Sequence, residues 1–451
     1  MDPFYIFATA GLILVVLLFQ VFRKSFDPFA PVWLFLVGYV QVYVIQALTY
    51  REYALRARGA DLVAAANLRA LWALALFLAV YYLAPARALA RRLPSAPARW
   101  SSATVAIISP VLVVWGLFCA GVAVRIRDRA LTDEETLIHS FPLVLLVAGI
   151  LLLVTGRNPE RPRPVWSALG LGIGVFYVLI WMFNGKRSHS LFGVLTTLCA
   201  YYVPRYRRPS KPVLLVAAFL GMLAVSLALG WRGKSEYEQS AAGFLEYLGD
   251  FQLSSILVNL NLKDRDEISA ALGKPVSHET EEYGGYLLMM DTVPTKSDYD
   301  YGTPYIRLVS TFIPRLVWPD KPYFGREYWV NAWIAGSEFR RDANFTGPAI
   351  GILGALQLNG GAVATVLMMT LLALMQRTGY EYFRLYADRP WAQAWWALTY
   401  YNAWLMTVND DPFVWFYYNY GFTTFIPMIG LWLFLKLPAA RREPALSLAA
   451  A

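Results

Sequence analysis

Charge is absent from long stretches of this chain. Apolar blocks of about 18–25 residues alternate with short segments that hold nearly all of the Lys, Arg, Asp and Glu. A block of that length fits a bilayer, where no water can satisfy the backbone, so it must form a helix that bonds to itself. The chain is 57% hydrophobic and 16% charged, whereas soluble domains are about a quarter charged. Candidate spans fall at about residues 4–22, 29–50, 67–86, 103–124, 139–156, 165–184, 188–204, 212–230, 347–376, 391–409 and 412–436. The expected fold is all-α, a polytopic integral membrane protein of about 11 transmembrane helices with one large hydrophilic loop containing amphipathic helices. Residues 1–230 form a first bundle of about eight helices, 231–348 the loop, and 349–451 about three more helices.

The loops set an orientation. Arg23 and Lys24, Arg87, Arg91, Arg92 and Arg99, Arg157, Arg161 and Arg163, Arg205, Arg207, Arg208 and Lys211, Arg377, Arg384 and Arg389, and Lys436, Arg441 and Arg442 fall on one side of an alternating topology. The acidic connection at Asp410 and Asp411 falls on the other. By the positive-inside rule the basic side is cytoplasmic, which puts the N-terminus outside and the C-terminus inside. The net charge of +9 follows from this orientation, and no basic stripe interleaved with stacking aromatics points to nucleic acid. Cys119 and Cys199 each lie in an apolar block and read as buried thiols, without a disulfide framework. The first apolar stretch runs into Arg23 and Lys24 without a small-residue cleavage site, so it reads as a retained helix.

Three outer loops carry cations against this trend. Arg51, Arg56, Arg58 and Arg69, and then Arg125, Arg127 and Arg129, read equally as headgroup-seeking side chains or as functional ones. The third is the turn Gly185-Lys186-Arg187-Ser188-His189, where adjacent cations at the mouth of a bundle make a sensible anion site. In the large loop, Phe244, Leu245, Leu248 and Phe251 recur at helical spacing, and apolar runs lie at 286–290 and 306–318. These are too short to span, and read as a lid that lies along or over the bundle. The polar run 277–282, SHETEE, reads as a solvated surface.

The phosphate-binding lysine loop, the HExxH and GxSxG motifs and the dinucleotide fingerprint are all absent. His139, His189 and His278 have no metal-ligand spacing. What remains is IPRLVWPDKP at 313–322, which sets Arg315, Asp320 and Lys321 between prolines beside Trp318. Cations there can hold a pyrophosphate, and an indole face can stack on a sugar ring. TGPAIG follows at 346–351 and a Gly-broken NGG at 359–361.

These three features, the IPRxxWPxKP string, the GKRS turn and the TGPA…NGG segment, resemble bacterial oligosaccharide repeat-unit polymerases, the Wzy-type O-antigen and exopolysaccharide polymerases. The resemblance covers about residues 180–365 and the pattern of spans around one large loop. It implies a GT-C-like, metal-independent glycosyltransferase of the bacterial inner membrane without a cofactor, whose large loop is periplasmic. It implies as substrate an undecaprenyl-pyrophosphate-linked oligosaccharide, with membrane lipids and a chain-length regulator protein as partners. It also implies phosphate-holding arginines, carried to Arg187, Arg232 and Arg315.

The chemistry makes the same demand. A metal-free transfer from a lipid pyrophosphate needs cations for the leaving group, and the outer-face supply is Lys186, Arg187, Arg232, Lys234, Arg307, Arg315 and Lys321. It also needs a base for the acceptor hydroxyl. His278, His189 and Asp320 are the candidates, with Glu236, Glu238, Asp410 and Asp411 behind them. The expected site joins the 315–321 segment to the Lys186–Arg187 turn, so that loop and bundle share it. An O-antigen ligase would use the same topology. A flippase or transporter of lipid-linked oligosaccharide would instead place charge deep within the spans.

Overall fold

The computed structural model describes residues 2–98, 100–125, 141–232, 240–253, 256, 282–306, 310, 313, 317–320, 349–408 and 424–436. Among these there are helices and connections and no strand. The first half holds α1 (Asp2–Phe22), α2 (Pro31–Thr49), α3 (Arg51–Arg58), α4 (Ala60–Leu83), α5 (Ala86–Arg92), α6 (Ser102–Arg125), α7 (Leu143–Gly156) and α8 (Pro164–Phe183). The second holds α9 (Arg187–Tyr202), α10 (Lys211–Arg232), α11 (Ala241–Asp250), α12 (Glu282–Thr292), α13 (Gly351–Leu385), α14 (Pro390–Thr399), α15 (Asn402–Val408) and α16 (Ile426–Lys436).

Among the described residues seven helices are long and apolar enough to cross a membrane: α1, α2, α4, α6, α8, α10 and α13. The other expected spans correspond to shorter described helices. Helix α7 is enclosed, all 14 residues being buried, with α6, α8, α9 and α14 around them. A helix that is apolar on every side belongs in a core. By contrast α1, α6 and α8 turn Phe4, Phe7, Ile107, Val114, Val165 and Val175 outward, as a lipid-facing surface requires. Near 391–409 the helix breaks between α14 and α15, where the Tyr400 and Tyr401 hydroxyls donate to Leu195 O and Ser188 O of α9 at 2.8 and 2.7 Å.

Long-range contacts sort the helix ends into two faces. On the first, Arg208 donates to Phe26 O (2.7 Å), Tyr382 to Pro94 O (2.9 Å), Arg163 to Ser102 Oγ (3.0 Å) and Trp432 to Ser95 O (3.2 Å). Arg389 bonds Ala96 O there as well. On the second, residues 46, 58, 69, 187, 282, 291 and 357 meet through side-chain contacts.

Two irregular turns shape the second face. In α2, residues Gln41–Gln46 wind as a π-helix, and the wider turn brings Gln46 inward, 6% exposed. In α13 the helix breaks at Gly360 (φ +152°) and Gly361 (φ +62°), a backbone that side chains other than glycine's rarely adopt. The break frees carbonyls, and they find partners: Asp300 N donates to Leu358 O and Thr365 Oγ1 to Gly361 O, both at 2.8 Å. The short half of α13 before the break is buried throughout.

Helix α12 packs against this half and against α4, with Tyr283, Tyr286 and Met289 fully enclosed. The run at 286–290 is thus part of the bundle core. Gly285 permits the approach, since a Cβ there would clash with Ala349 O. Helix α11 docks separately. Phe244 and Tyr247 are buried against Trp231, with Leu248 and Phe251 alongside, while Leu245 is exposed. Its inward face therefore passes through Tyr247, one step round the helix from the spacing read in the sequence.

Candidate functional site

The site is built around a turn between two helices. Helix α8 ends in a Schellman motif: Lys186 N donates to Trp181 O at 2.9 Å and Gly185 N to Met182 O at 3.0 Å. Gly185 supplies the left-handed residue, φ +66°. Helix α9 restarts at once, with Lys186 as N-cap and Arg187 as its first residue. A cation at a helix N-terminus adds to the positive end of the helix dipole, so this turn concentrates positive potential.

That potential meets one buried carboxylate. Arg187 Nη2 lies 3.1 Å from Glu282 Oε1, with the Arg side chain 41% exposed and the Glu side chain 3%. The other carboxylate oxygen accepts from Gln46 Nε2 at 2.7 Å. Gln46 Oε1 in turn accepts from Tyr283 N at 3.0 Å, which satisfies one of the unpaired N–H groups that open α12. The Tyr283 hydroxyl donates to Asn67 Oδ1 at 2.8 Å, and Tyr286 to Ala66 O at 3.1 Å. Tyr43 accepts from Leu353 N at 3.0 Å, so one turn of α2 also binds the start of α13. The result is a mostly buried polar network on five helices, open to the surface through the Arg187 guanidinium.

Beside it, Arg58 and Lys296 hold Asp291 at 3.0 and 2.7 Å. The Lys296 hydrogen bond, helped by both positive charges against a smaller burial effect, keeps the Asp291 carboxyl below its ordinary range. Arg69 bonds Gln357, whose amide reaches Val293 O. Arg58 and Arg69 are therefore links that fix α12 and the buried half of α13.

Of the residues expected from sequence, Lys186, Arg187 and His189 share the turn. His189 packs its ring 4.4 Å from the Trp181 ring, and residues two apart on a helix face different ways. It thus lies off the Arg187–Glu282 side. Trp318 and Asp320 stand exposed in a turn at 317–320. His278, Arg307, Arg315 and Lys321 lie outside the described residues, as does the side chain of Arg232. Neighbouring Trp231 is fully buried and donates to Phe183 O at 2.7 Å, capping α8.

Sequence reasoning missed Gln46, Asn67, Tyr283 and Glu282. The end of the run expected to be solvated is among the most buried charges of the described residues. Tyr283 and Tyr286, placed to face inward with it, were the available signal. Cys119 and Cys199 are buried free thiols. Among the described residues no three His, Cys, Asp or Glu side chains converge as a metal site would need. A cleft of about 270 Å³ lies on the opposite, basic face, where Arg157, Ser167, Tyr201 and Arg205 contribute to its lining. No family model, curated protein or solved structure matches the chain.

Proposed function

We propose that this chain is a membrane-embedded glycosyltransferase that polymerises undecaprenyl-pyrophosphate-linked oligosaccharide repeat units at the periplasmic face of a bacterial inner membrane. The observation that carries the reading is Arg187: a half-exposed guanidinium at a helix N-terminus, anchored through one nitrogen to buried Glu282. Its remaining donors are available to phosphate oxygens, and guanidinium geometry suits two at once. Arg187 and Lys186 would stabilise the negative charge that develops on the departing pyrophosphate. The apolar bundle around them supports a lipid-linked substrate. Arg315, Lys321 and Trp318 are the loop's contribution in this reading, with about eleven crossings and the 231–348 segment outside.

The test is chain extension in cells that depend on this protein. Arg187→Gln keeps a polar side chain and loses the charge. It should leave membrane protein levels unchanged and restrict surface glycan to single repeat units, with Arg187→Lys partly active. Long polymer in the Arg187→Gln strain would overturn the proposal. The break in α13 supports a second reading, a transporter of the same lipid, since interrupted helices line many transport sites. Flipping of a lipid-linked oligosaccharide by purified protein in liposomes, without any extension, would favour it.

A further inference from the structure

We propose that the cleft on the basic face is a binding site for the headgroup of an anionic phospholipid. It lies where α7 ends, α8 begins and α9 turns into Val203–Arg205, a 3₁₀ turn. That is the level of the helix ends, where headgroups sit. Its volume, about 270 Å³, admits a phosphate with a small substituent.

Two guanidiniums line it, and one is already oriented. Arg157 donates through Nε to Tyr201 O at 3.2 Å and lies over the Tyr201 ring, 3.6 Å from its centre. This fixes the plane of the fork while its terminal nitrogens remain for a ligand. Among the described residues no carboxylate pairs with Arg157 or Arg205. Glu160 and Asp388 act on Tyr206, next in the chain, and neither lines the cleft. Ser167 adds a hydroxyl to the wall. No side chain caps the first turn of α8, so its N–H groups reinforce the positive potential.

The remaining wall decides between a free anion and a lipid. Ala168 and Leu171 continue the cleft in apolar surface. Beyond them the exposed side of α8 carries Val165, Leu169, Val175, Phe176 and Leu179, between 45% and 66% exposed. A free phosphate has no use for such a stripe, whereas acyl chains do. Basic pockets between membrane helices on the positive side of a protein take phospholipid headgroups for this reason.

The experiment is native mass spectrometry of the full chain released from nanodiscs of mixed phosphatidylglycerol and phosphatidylethanolamine. The wild type should retain one phosphatidylglycerol with about ten-fold preference. Arg205→Gln and the cleft-filling Ala168→Trp should each reduce that preference roughly five-fold. Arg207→Gln, the same charge change outside the cleft, should leave it intact. Equal retention of both lipids, or unchanged preference in both cleft variants, would overturn the proposal. So would an equal loss in Arg207→Gln, which would mean general surface charge. Full displacement of the lipid by inorganic phosphate alone would make this a free-phosphate site and would equally overturn it.

Discussion

Glu282 has one partner for each carboxylate oxygen, Arg187 and Gln46. Glu282→Ala should leave both donors unpaired and lower stability by about 2–4 kcal/mol, read as a fall in thermal midpoint. Glu282→Gln keeps the shape and part of the hydrogen bonding, and should fall less. Asp291 gives a pH-dependent test. Its folded carboxyl is held below the ordinary value of 3.8. The stability it contributes is therefore present above that value and is lost as pH falls through the lower folded one. Asp291→Asn should be less stable than wild type at neutral pH, and the gap should close in strong acid, as a thermal melt in detergent would show. Arg187 was legible because two cations in a tight turn between apolar blocks need an explanation. Glu282 was not. It closes a polar run, and burial of the last member depends on where α12 docks, which no local pattern reports.

At the scale of elements, the irregular turns matter more than the regular ones. A Cβ on Gly361 would stand 2.9 Å from Tyr299 Oη, in a left-handed backbone. Gly361→Ala should cost about 1–3 kcal/mol, whereas Gly172→Ala, with open space around it, should be neutral or slightly stabilising by melting temperature. Gly285→Leu should prevent α12 from seating and abolish folded yield. The NGG sequence announced the break in α13, since paired glycines seldom continue a helix undisturbed. The π-turn in α2 left no trace in the sequence: one extra residue per turn changes neither composition nor hydrophobicity. The short α7 was legible as apolar, but its enclosure by protein on every side was not, because burial and membrane exposure select the same side chains.

Across the whole molecule, the two faces seen in the contacts follow the charge alternation along the chain, so topology can be tested by chemistry. Both native cysteines are buried, which makes single engineered cysteines clean reporters. In intact cells an impermeant maleimide should label Ser297→Cys and spare Lys24→Cys until the membrane is opened; the reverse pattern would invert the orientation proposed above. The polar network around Glu282 has a consequence for synthesis. Gln46 and Glu282 are separated by 236 residues, and Tyr43 and Leu353 N by 310. At about 5–20 residues per second, translation leaves α2 in the membrane for roughly 10–50 s before Glu282 exists. Through that interval its amide and phenol lack their mature partners. The early helices must be sheltered by the insertion machinery or by one another, and this network is complete only when the ribosome has passed the first half of α13.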